Sequence, residues 1–236
     1  MYVKVLYDAE ARRGLLSGKG FSCLIDGKIL FDTAEGPNDL VENMDRLMVD
    51  LNDIEGVVIS HDHYDHTGGL WEVLRRKKGL KVYACPSFSD TFKQCVEELG
   101  GELVFVDKPM EISKGIFTTG EMESLYKEEY MPEQALYVKG DKGVSIITGC
   151  AHPGILNILT HIKKTAGAKH LYMVFGGFHL DGMDRESIGD IITGFKKLGV
   201  EKAGPTHCSG TKARRIFSGQ YHDNFIPVKA GHIIHL

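Results

Sequence analysis

The segment 61–66, His-Asp-His-Tyr-Asp-His, concentrates residue types that bind metal ions. It directly follows an apolar stretch, 56–60, which the sequence predicts to be a short buried strand. Residues i and i+2 of an extended chain point to the same side, so His61 and His63 can bind one ion together.

The same segment offers a second pair of donors. The chain must turn before the helix predicted to start at Gly69, and this turn lets Asp65 and His66 face a second position. Two metals about 3.5–4 Å apart can hold and activate a bridging water. A solvated polar loop is the alternative, but folding does not require polar residues between an apolar strand and a helix start. The segment therefore predicts one or two divalent ions, with zinc as the first choice and iron or manganese as alternatives.

The elements that must position these residues follow from hydrophobic spacing and turn residues. Asn38 is predicted to cap a helix that runs to Met48. Further helices are predicted over 69–78, 87–99, 155–165, 185–198 and 211–217. Strands are predicted over 3–7, 22–25, 29–31, 56–60, 82–84, 103–106, 116–119, 135–139, 144–148, 171–175, 203–205 and 231–236, and the polar stretch 121–133 is predicted to be a loop or lid. Strands and helices alternate in two loosely similar halves, which favours a sheet sandwich covered by helices.

Composition excludes several classes of protein. The chain has 236 residues, 42% of them hydrophobic and 25% charged, as in ordinary globular domains. A formal net charge of −4 gives no reason to expect binding to nucleic acid or to an anionic membrane. No apolar run reaches the roughly 18 residues of a membrane span, and the first residues lack the features of a signal peptide, so we expect a cytoplasmic protein. Five scattered cysteines without a CxxC pair favour neither a disulfide framework nor a zinc ribbon.

The run His61-x-His63-x-Asp65-His66-Thr67-Gly68-Gly69-Leu70 resembles the signature of the metallo-β-lactamase superfamily. Upstream, Leu30-Phe31-Asp32-Thr33 is similar to its apolar-Asp-Thr strand end, with Ala34 in place of the usual glycine. The resemblance covers nearly the whole chain. It implies an α/β fold, a four-layer αβ/βα sandwich formed by residues 1–236 as one domain, with the metals at one edge between the two sheets.

Three downstream segments resemble one subgroup of this superfamily, the metal-dependent hydrolases, of which an archaeal branch contains a pterin transferase that releases diphosphate. These segments are Thr148-Gly149-Cys150-Ala151-His152-Pro153-Gly154, Phe175-Gly176-Gly177-Phe178-His179-Leu180 and Pro205-Thr206-His207-Cys208-Ser209-Gly210. A β-lactamase proper fits these segments less well.

The resemblance also implies ligands beyond the first run. His207 fits the late histidine that binds the second metal. His152 is favoured as the third ligand of the first metal, because a neutral imidazole completes a histidine-rich site without a buried thiolate. In a second alignment Cys150 stands at the position of the bridging residue, and Glu121 stands where the third histidine is expected.

Asp65 and His179 are the predicted catalytic residues. Asp65 would bind a metal and orient the attacking hydroxide, and His179 could either bind a metal or donate a proton. Asp62 is predicted to hold a ligand histidine by its outer N–H. A helix start offers weaker candidates for binding an anionic substrate, with a solvated helix face as the alternative interpretation: Lys212, Arg214 and Arg215.

The predicted function is a metal-dependent hydrolase that uses a metal-activated water on a phosphate ester or another small anionic substrate. The alternatives are a pterin-type transferase that releases diphosphate and a non-hydrolytic metal-binding or redox protein. The expected partner is a small-molecule substrate, and the sequence does not indicate an oligomeric state.

Overall fold

Two large sheets organise the chain, one in each of two units. The computed structural model describes all 236 residues. Unit 1 comprises Met1–Asp107 and Lys229–His235, and unit 2 comprises Lys108–Val228 with Leu236. This mixture of helices with two sheets confirms the predicted α/β class.

Unit 1 is built on a seven-stranded sheet. Its first elements, in chain order, are β1 (Tyr2–Tyr7), β2 (Ser22–Ile25), β3 (Ile29–Phe31), α1 (Pro37–Arg46), β4 (Gly56–Val58), α2 (Tyr64–Thr67), α3 (Leu70–Arg76), β5 (Lys81–Ala84), α4 (Asp90–Glu98) and β6 (Glu102–Phe105). Strands β3, β4, β5 and β6 lie side by side and run parallel. Parallel neighbours need long connections, and here helices supply them. The carboxyl ends of β3 and β4 therefore lie at the same edge of the sheet.

Unit 2 contains a six-stranded sheet and a small hairpin. Its elements are β7 (Met110–Ser113), β8 (Ile116–Thr118), β9 (Leu125–Tyr126), β10 (Glu129–Tyr130), β11 (Leu136–Gly140), β12 (Gly143–Thr148), α5 (Ile155–Thr165), β13 (Leu171–Gly177), α6 (Arg185–Leu198), β14 (Val200–Thr206) and α7 (Gly210–Tyr221). Strands β12, β13 and β14 are parallel neighbours joined by α5 and α6. The last strand of the chain, β15 (Ile233–His235), pairs with β1 in unit 1.

Each unit has its own apolar core. In unit 1 the buried faces of α1, α3 and α4 pack with strand residues such as Leu30, Val57 and Val82. In unit 2 the buried faces of α5, α6 and α7 pack with strand residues such as Ile146 and Val174. Each fully buried large apolar side chain contributes about 1.5–3 kcal/mol to folding, so these cores hold the strand ends in place.

Local patterns located most of the elements, and α5 and α6 have the predicted bounds. The start of the first helix was predicted wrongly. Helix α1 begins at Pro37 with Gly36 as the N-cap, not Asn38. Proline suits the first helical position because it lacks the N–H that would have no partner there. The helix ends at Arg46, and Met48 beyond it is 91% exposed.

The predicted loop 121–133 is partly ordered as the hairpin β9–β10. It ends at Glu133, which is fully buried. No helix of the structure is both long enough and apolar enough to cross a membrane.

Candidate metal centre

In unit 1 the histidine run lies at the carboxyl ends of β3 and β4. The backbone N–H of Asp32 donates to the carbonyl of Val58 over 2.9 Å, which joins the two strand ends. Thr33 then donates twice to the carbonyl of His66, from its N–H over 2.8 Å and from its hydroxyl over 2.7 Å. A Cβ atom on Gly20 would lie 2.1 Å from the carbonyl oxygen of Asp65. The run is therefore held tightly against the loops around it.

A buried carboxylate orients two of these histidines. Asp32 is fully buried, and its Oδ1 accepts from the N–H of Ser60 over 2.7 Å. Its Oδ2 lies 2.7 Å from both the hydroxyl of Ser60 and Nδ1 of His66. The hydroxyl of Ser60 also lies 2.9 Å from Nδ1 of His61. If both Nδ1 atoms carry the proton, every contact pairs a donor with an acceptor, and Nε2 of each ring keeps its lone pair.

This network also explains the direction in which the pKa of Asp32 is shifted. Burial raises the pKa of the carboxyl group, and the charge and hydrogen bond of His66 lower it, as do the bonds from Ser60. Burial has the larger effect. In this buried position, a positively charged neighbour is needed to stabilise the charged form of Asp32.

The donor atoms of the run fit a metal ion. Nε2 of His61 lies 3.1 Å from Nδ1 of His63, and the His61 ring lies 4.1 Å from the His66 ring. Oδ2 of Asp65 lies 3.9 Å from Nε2 of His66. His61 and His66 are fully buried. Imidazole nitrogens and a carboxylate gathered in this way form the donor set that zinc, iron and manganese accept.

Asp62 does not take the position predicted for it. Its Oδ2 accepts from the N–H of Ser89 over 3.1 Å and from the Ser89 hydroxyl, so it faces the start of α4 and holds no histidine. Ser89 in turn caps α4 by accepting from the N–H of Phe92. In unit 1 the carboxylate that holds a histidine by its outer nitrogen is Asp32, for which the sequence predicted no role.

Unit 2 gathers a second set of polar residues at the carboxyl ends of its parallel strands. Cys150 and His152 follow β12, His179 follows β13, and His207 follows β14. The register pairs Thr148 with Gly176 and Gly177 with Thr206, so all three strands end at one level. Ligands of α/β proteins commonly bind at such an edge.

Glu133 organises the turn after β12, and sequence reasoning missed it. Its Oε1 accepts from the N–H of Cys150 over 2.9 Å and of Ala151 over 2.7 Å. Its Oε2 accepts from the N–H of His152 over 2.7 Å and lies 2.9 Å from Nδ1 of the same residue. Ala151 has a positive φ of 63°. The carboxylate thus stabilises a strained turn and fixes the orientation of the His152 ring.

The pKa of Glu133 reflects burial and the contacts with His152 and Ala151. Burial raises it, but the hydrogen bond and charge of His152 and the backbone N–H groups hold the pKa below its ordinary value. One sequence signal could have found this residue. A charged side chain stands almost directly before the apolar strand β11, where solvent exposure is not expected.

An aromatic side chain from the hairpin covers the histidines of unit 2. The ring of Tyr126 lies 5.0 Å from that of His152 and 5.6 Å from that of His179, with both contacts edge to face. The two histidine rings lie 4.7 Å apart. The hairpin β9–β10 therefore forms part of this site.

His179 and Cys208 perturb each other's protonation. The bond with the Cys208 thiol raises the pKa of His179, and burial opposes this effect. Burial raises the pKa of Cys208, but its bonds with Cys150 and His179 and the charge of His207 hold that pKa well below its usual range.

Comparison with known proteins places this architecture in a family. A family model described as a beta-lactamase superfamily domain matches residues 28–106. The 7,8-dihydropterin-6-methyl-4-(beta-D-ribofuranosyl)-aminobenzene-5'-phosphate synthase of Methanocaldococcus jannaschii is 33% identical over an alignment 249 residues long, which covers 89% of this chain and 85% of that protein. The chain belongs to the metallo-β-lactamase superfamily.

Solved structures of the superfamily agree with this assignment. The crystal structure of Tm1679, a metal-dependent hydrolase of the beta-lactamase superfamily, is 31% identical, with a TM-score of 0.84 over 100% of this chain and 99% of that one. YhfI from Bacillus subtilis, a metallo-beta-lactamase fold protein, is 14% identical, with a TM-score of 0.70 over 98% and 97% of the two chains. The predicted family and fold are confirmed, and membership of this superfamily supports divalent metal binding.

Four further predicted residues lie outside the histidine run of unit 1 and the polar residues at the strand ends of unit 2. Glu121 accepts a hydrogen bond from the Tyr130 hydroxyl over 3.1 Å beside the hairpin. Lys212 donates to the carbonyl of Met183 over 3.0 Å. Arg214 and Arg215 lie on α7, where Arg215 is exposed. Their roles in binding stay predictions.

Proposed function

We propose that the chain is a metal-dependent hydrolase that acts on a phosphate ester or another small anionic substrate. The buried network of Asp32, Ser60, His61 and His66 is the observation that carries this proposal. A buried carboxylate that fixes the tautomer of a histidine is the device by which proteins orient metal ligands. The likeness to Tm1679, at 31% identity, supports the same reaction class.

The proposed metal ligands in unit 1 are His61, His63, Asp65 and His66. Those proposed in unit 2 are His152 and His207, with Cys150 as a further candidate. Family membership supports this set, and the buried carboxylates of Asp32 and Glu133, which lie 2.7 Å from Nδ1 of His66 and 2.9 Å from Nδ1 of His152, fit it. A bound divalent metal lowers the pKa of a water molecule towards neutrality and polarises a phosphoryl oxygen. Of the chain's own groups, Asp65 orients the attacking water by accepting its hydrogen bond.

The chain's remaining groups position the substrate. His179 is proposed to act at the reacting atoms, as a ligand or as a proton donor to the leaving group. Tyr126 covers His152 and His179 and would exclude water from that side. A cationic helix face on α7 is proposed to attract the anionic substrate: Lys212, Arg214 and Arg215. A net charge of −4 is consistent with a small-molecule substrate rather than nucleic acid.

A transferase is the second candidate, because a relative at 33% identity is named as a synthase. In that case the same ligands would serve to bind a diphosphate leaving group, and the attacking group would belong to a second organic substrate. The two reactions differ in the atom that displaces the leaving group, which is a water oxygen in hydrolysis and an atom of the second organic substrate in transfer.

Product analysis in ¹⁸O-labelled water separates the two reactions. The full chain, loaded with zinc or manganese, is incubated with phosphomonoesters, phosphodiesters and diphosphates. A hydrolase incorporates one solvent oxygen without a second substrate, whereas a transferase forms product only with an organic acceptor. A chain with full metal loading and neither activity would overturn both candidates.

The matched variants are His61→Ala with His63→Ala, and His235→Ala as a histidine control on the exposed end of β15. The double variant is expected to lose activity together with the metal bound by the histidine run. The control is expected to keep both.

A further inference from the structure

Three donor atoms of unit 2 converge at the carboxyl ends of β12, β13 and β14. The sulfur atoms of Cys150 and Cys208 and one ring nitrogen of His179 all lie within 4.8 Å of one another. Each residue follows a different strand, so parallel pairing of the strands brings them together. Cys208 was not among the ligands predicted from the sequence.

Two glycines at the end of β13 permit this approach. A Cβ atom on Gly177 would lie 2.7 Å from Sγ of Cys208 and 2.1 Å from the carbonyl oxygen of Gly149. A Cβ atom on Gly176 would lie 2.1 Å from the carbonyl oxygen of Thr148. Any larger residue at these positions would push the turns after β12 and β14 away from β13. The thiols consequently meet only because β13 ends in glycine.

The cluster contains a buried polar atom that protein contacts do not satisfy. Nδ1 of His179 is buried and has no hydrogen-bond partner. The backbone of His179 has a positive φ of 54°, a conformation that is strained for a residue other than glycine. Strain and an unsatisfied nitrogen at one residue indicate that its ring is held in place for a ligand.

We propose that Cys150, Cys208 and His179 bind a thiophilic divalent metal ion, with zinc as the natural candidate. Thiolate sulfur and imidazole nitrogen select zinc over magnesium or manganese. Each thiol releases its proton to solvent when it binds the ion. Of the two roles open to His179, this assignment makes it a ligand, and it stands whether or not the chain is a hydrolase.

Cobalt(II) tests the proposal, because thiolate ligands give cobalt an intense near-ultraviolet charge-transfer band that imidazole and carboxylate ligands do not give. The reduced, metal-free full chain is titrated with cobalt under anaerobic conditions. The wild type is expected to develop the band. Cys150→Ser and Cys208→Ser should each lose about half of it, since each removes one of two thiolates, and the double variant should lose all of it.

Cys95→Ser is the matched control, since Cys95 lies on α4 in unit 1. It is expected to keep the full band. The variant His61→Ala with His63→Ala should also keep the band while it loses hydrolysis. A full band in Cys208→Ser, or bound cobalt without a band in the wild type, would overturn the proposal.

X-ray absorption on the unmutated, zinc-loaded chain covers the case in which a serine variant does not fold. Sulfur ligands at about 2.3 Å from zinc are expected, and a shell of nitrogen and oxygen alone contradicts the proposal. The outcomes also separate the two proposals of function and site. Hydrolysis without sulfur ligation contradicts only the thiolate site, and sulfur ligation without hydrolysis contradicts only the proposed function.

Discussion

At the residue scale, two buried carboxylates have the same role, because each fixes the orientation of a histidine. Asp32 in unit 1 fixes His66 directly and His61 through Ser60. Glu133 in unit 2 fixes His152 and the backbone of the turn that carries it. Neither carboxylate needs to touch a metal to determine how strongly the centre binds it.

Replacement of Asp32 by asparagine tests this role. Asparagine keeps the shape but loses the charge that holds the His66 N–H, so metal affinity should fall about 10–100-fold. Ser60→Ala, which leaves the bond between Asp32 and His66 in place, should have a smaller effect. Calorimetric titration with zinc measures both, and wild-type affinity in Asp32→Asn would contradict the assignment.

Glu133→Gln should lower the free energy of unfolding by about 2 kcal/mol or more at neutral pH, because the bonds to a buried charged acceptor are lost. The pKa of Glu133 is lowered in the folded chain, so its contribution to stability is present above its ordinary value of 4.5 and is lost as pH falls through the lowered pKa. The gap in the free energy of unfolding between wild type and variant should therefore become smaller in acid.

Urea unfolding at neutral pH and at pH of about 3 or below measures this gap, since the linkage acts below the ordinary pKa of the carboxyl group. Glu123→Gln, an exposed residue of the same segment, is the control and should show no gap. An equal gap at both pH values would show that the charge of Glu133 is not the cause.

At the scale of the element, the strand ends carry the candidate ligands, and the helices that follow them stabilise the strands. Strands β12, β13 and β14 bring the cysteines and histidines of unit 2 to one edge, and α5, α6 and α7 bury the apolar faces that hold those strands. The end of α7 shows one imperfect fit. Tyr221 stacks on Phe217, yet its buried hydroxyl has no hydrogen-bond partner.

Tyr221→Phe should stabilise the chain by about 1 kcal/mol, because an unsatisfied buried hydroxyl is removed. Burial also raises the pKa of Tyr221 to about 12. Only the neutral phenol is accommodated, so stability is present below the ordinary pKa of 10 and falls as pH rises from there towards 12. The variant should lose less stability than wild type over this range.

Thermal unfolding at neutral and alkaline pH measures both effects. Tyr2→Phe, in which the tyrosine is only partly buried on β1, serves as the control. A destabilised Tyr221→Phe chain would show that the hydroxyl has a favourable partner.

At the scale of the whole molecule, each unit has its own sheet and core. The predicted single domain stays a prediction, and calorimetry tests it, since one domain unfolds in one transition. Metal binding acts on the same equilibrium. An ion that binds only the native chain adds about 2.7 kcal/mol of stability at a concentration 100 times its Kd.

Zinc should therefore raise the melting temperature, and a chelator should lower it again. The variant His61→Ala with His63→Ala should lose the part of this shift that comes from the histidine run, whereas His235→Ala should retain the whole shift. Differential scanning calorimetry with and without metal is the measurement. A melting temperature that changes with neither zinc nor chelator would contradict metal binding by the folded chain.

Local information sufficed for part of this molecule. The spacing of His61, His63, Asp65 and His66 identified a metal-binding run, because i and i+2 geometry and ligand chemistry are properties of neighbouring residues. The bounds of α5 and α6 also followed from local spacing and caps, such as Asp184 before α6 and Gly199 after it.

Tertiary structure decided what holds those ligands. Asp32 meets His66 across 34 residues, and Glu133 meets His152 across 19 residues. Cys208 meets Cys150 across 58 residues. Only the pairing of strands places such distant positions at one sheet edge, and no local pattern records which carboxylate or thiol will arrive there. The sequence thus determined which residues could bind a metal, and the fold decided which residues orient and complete the site.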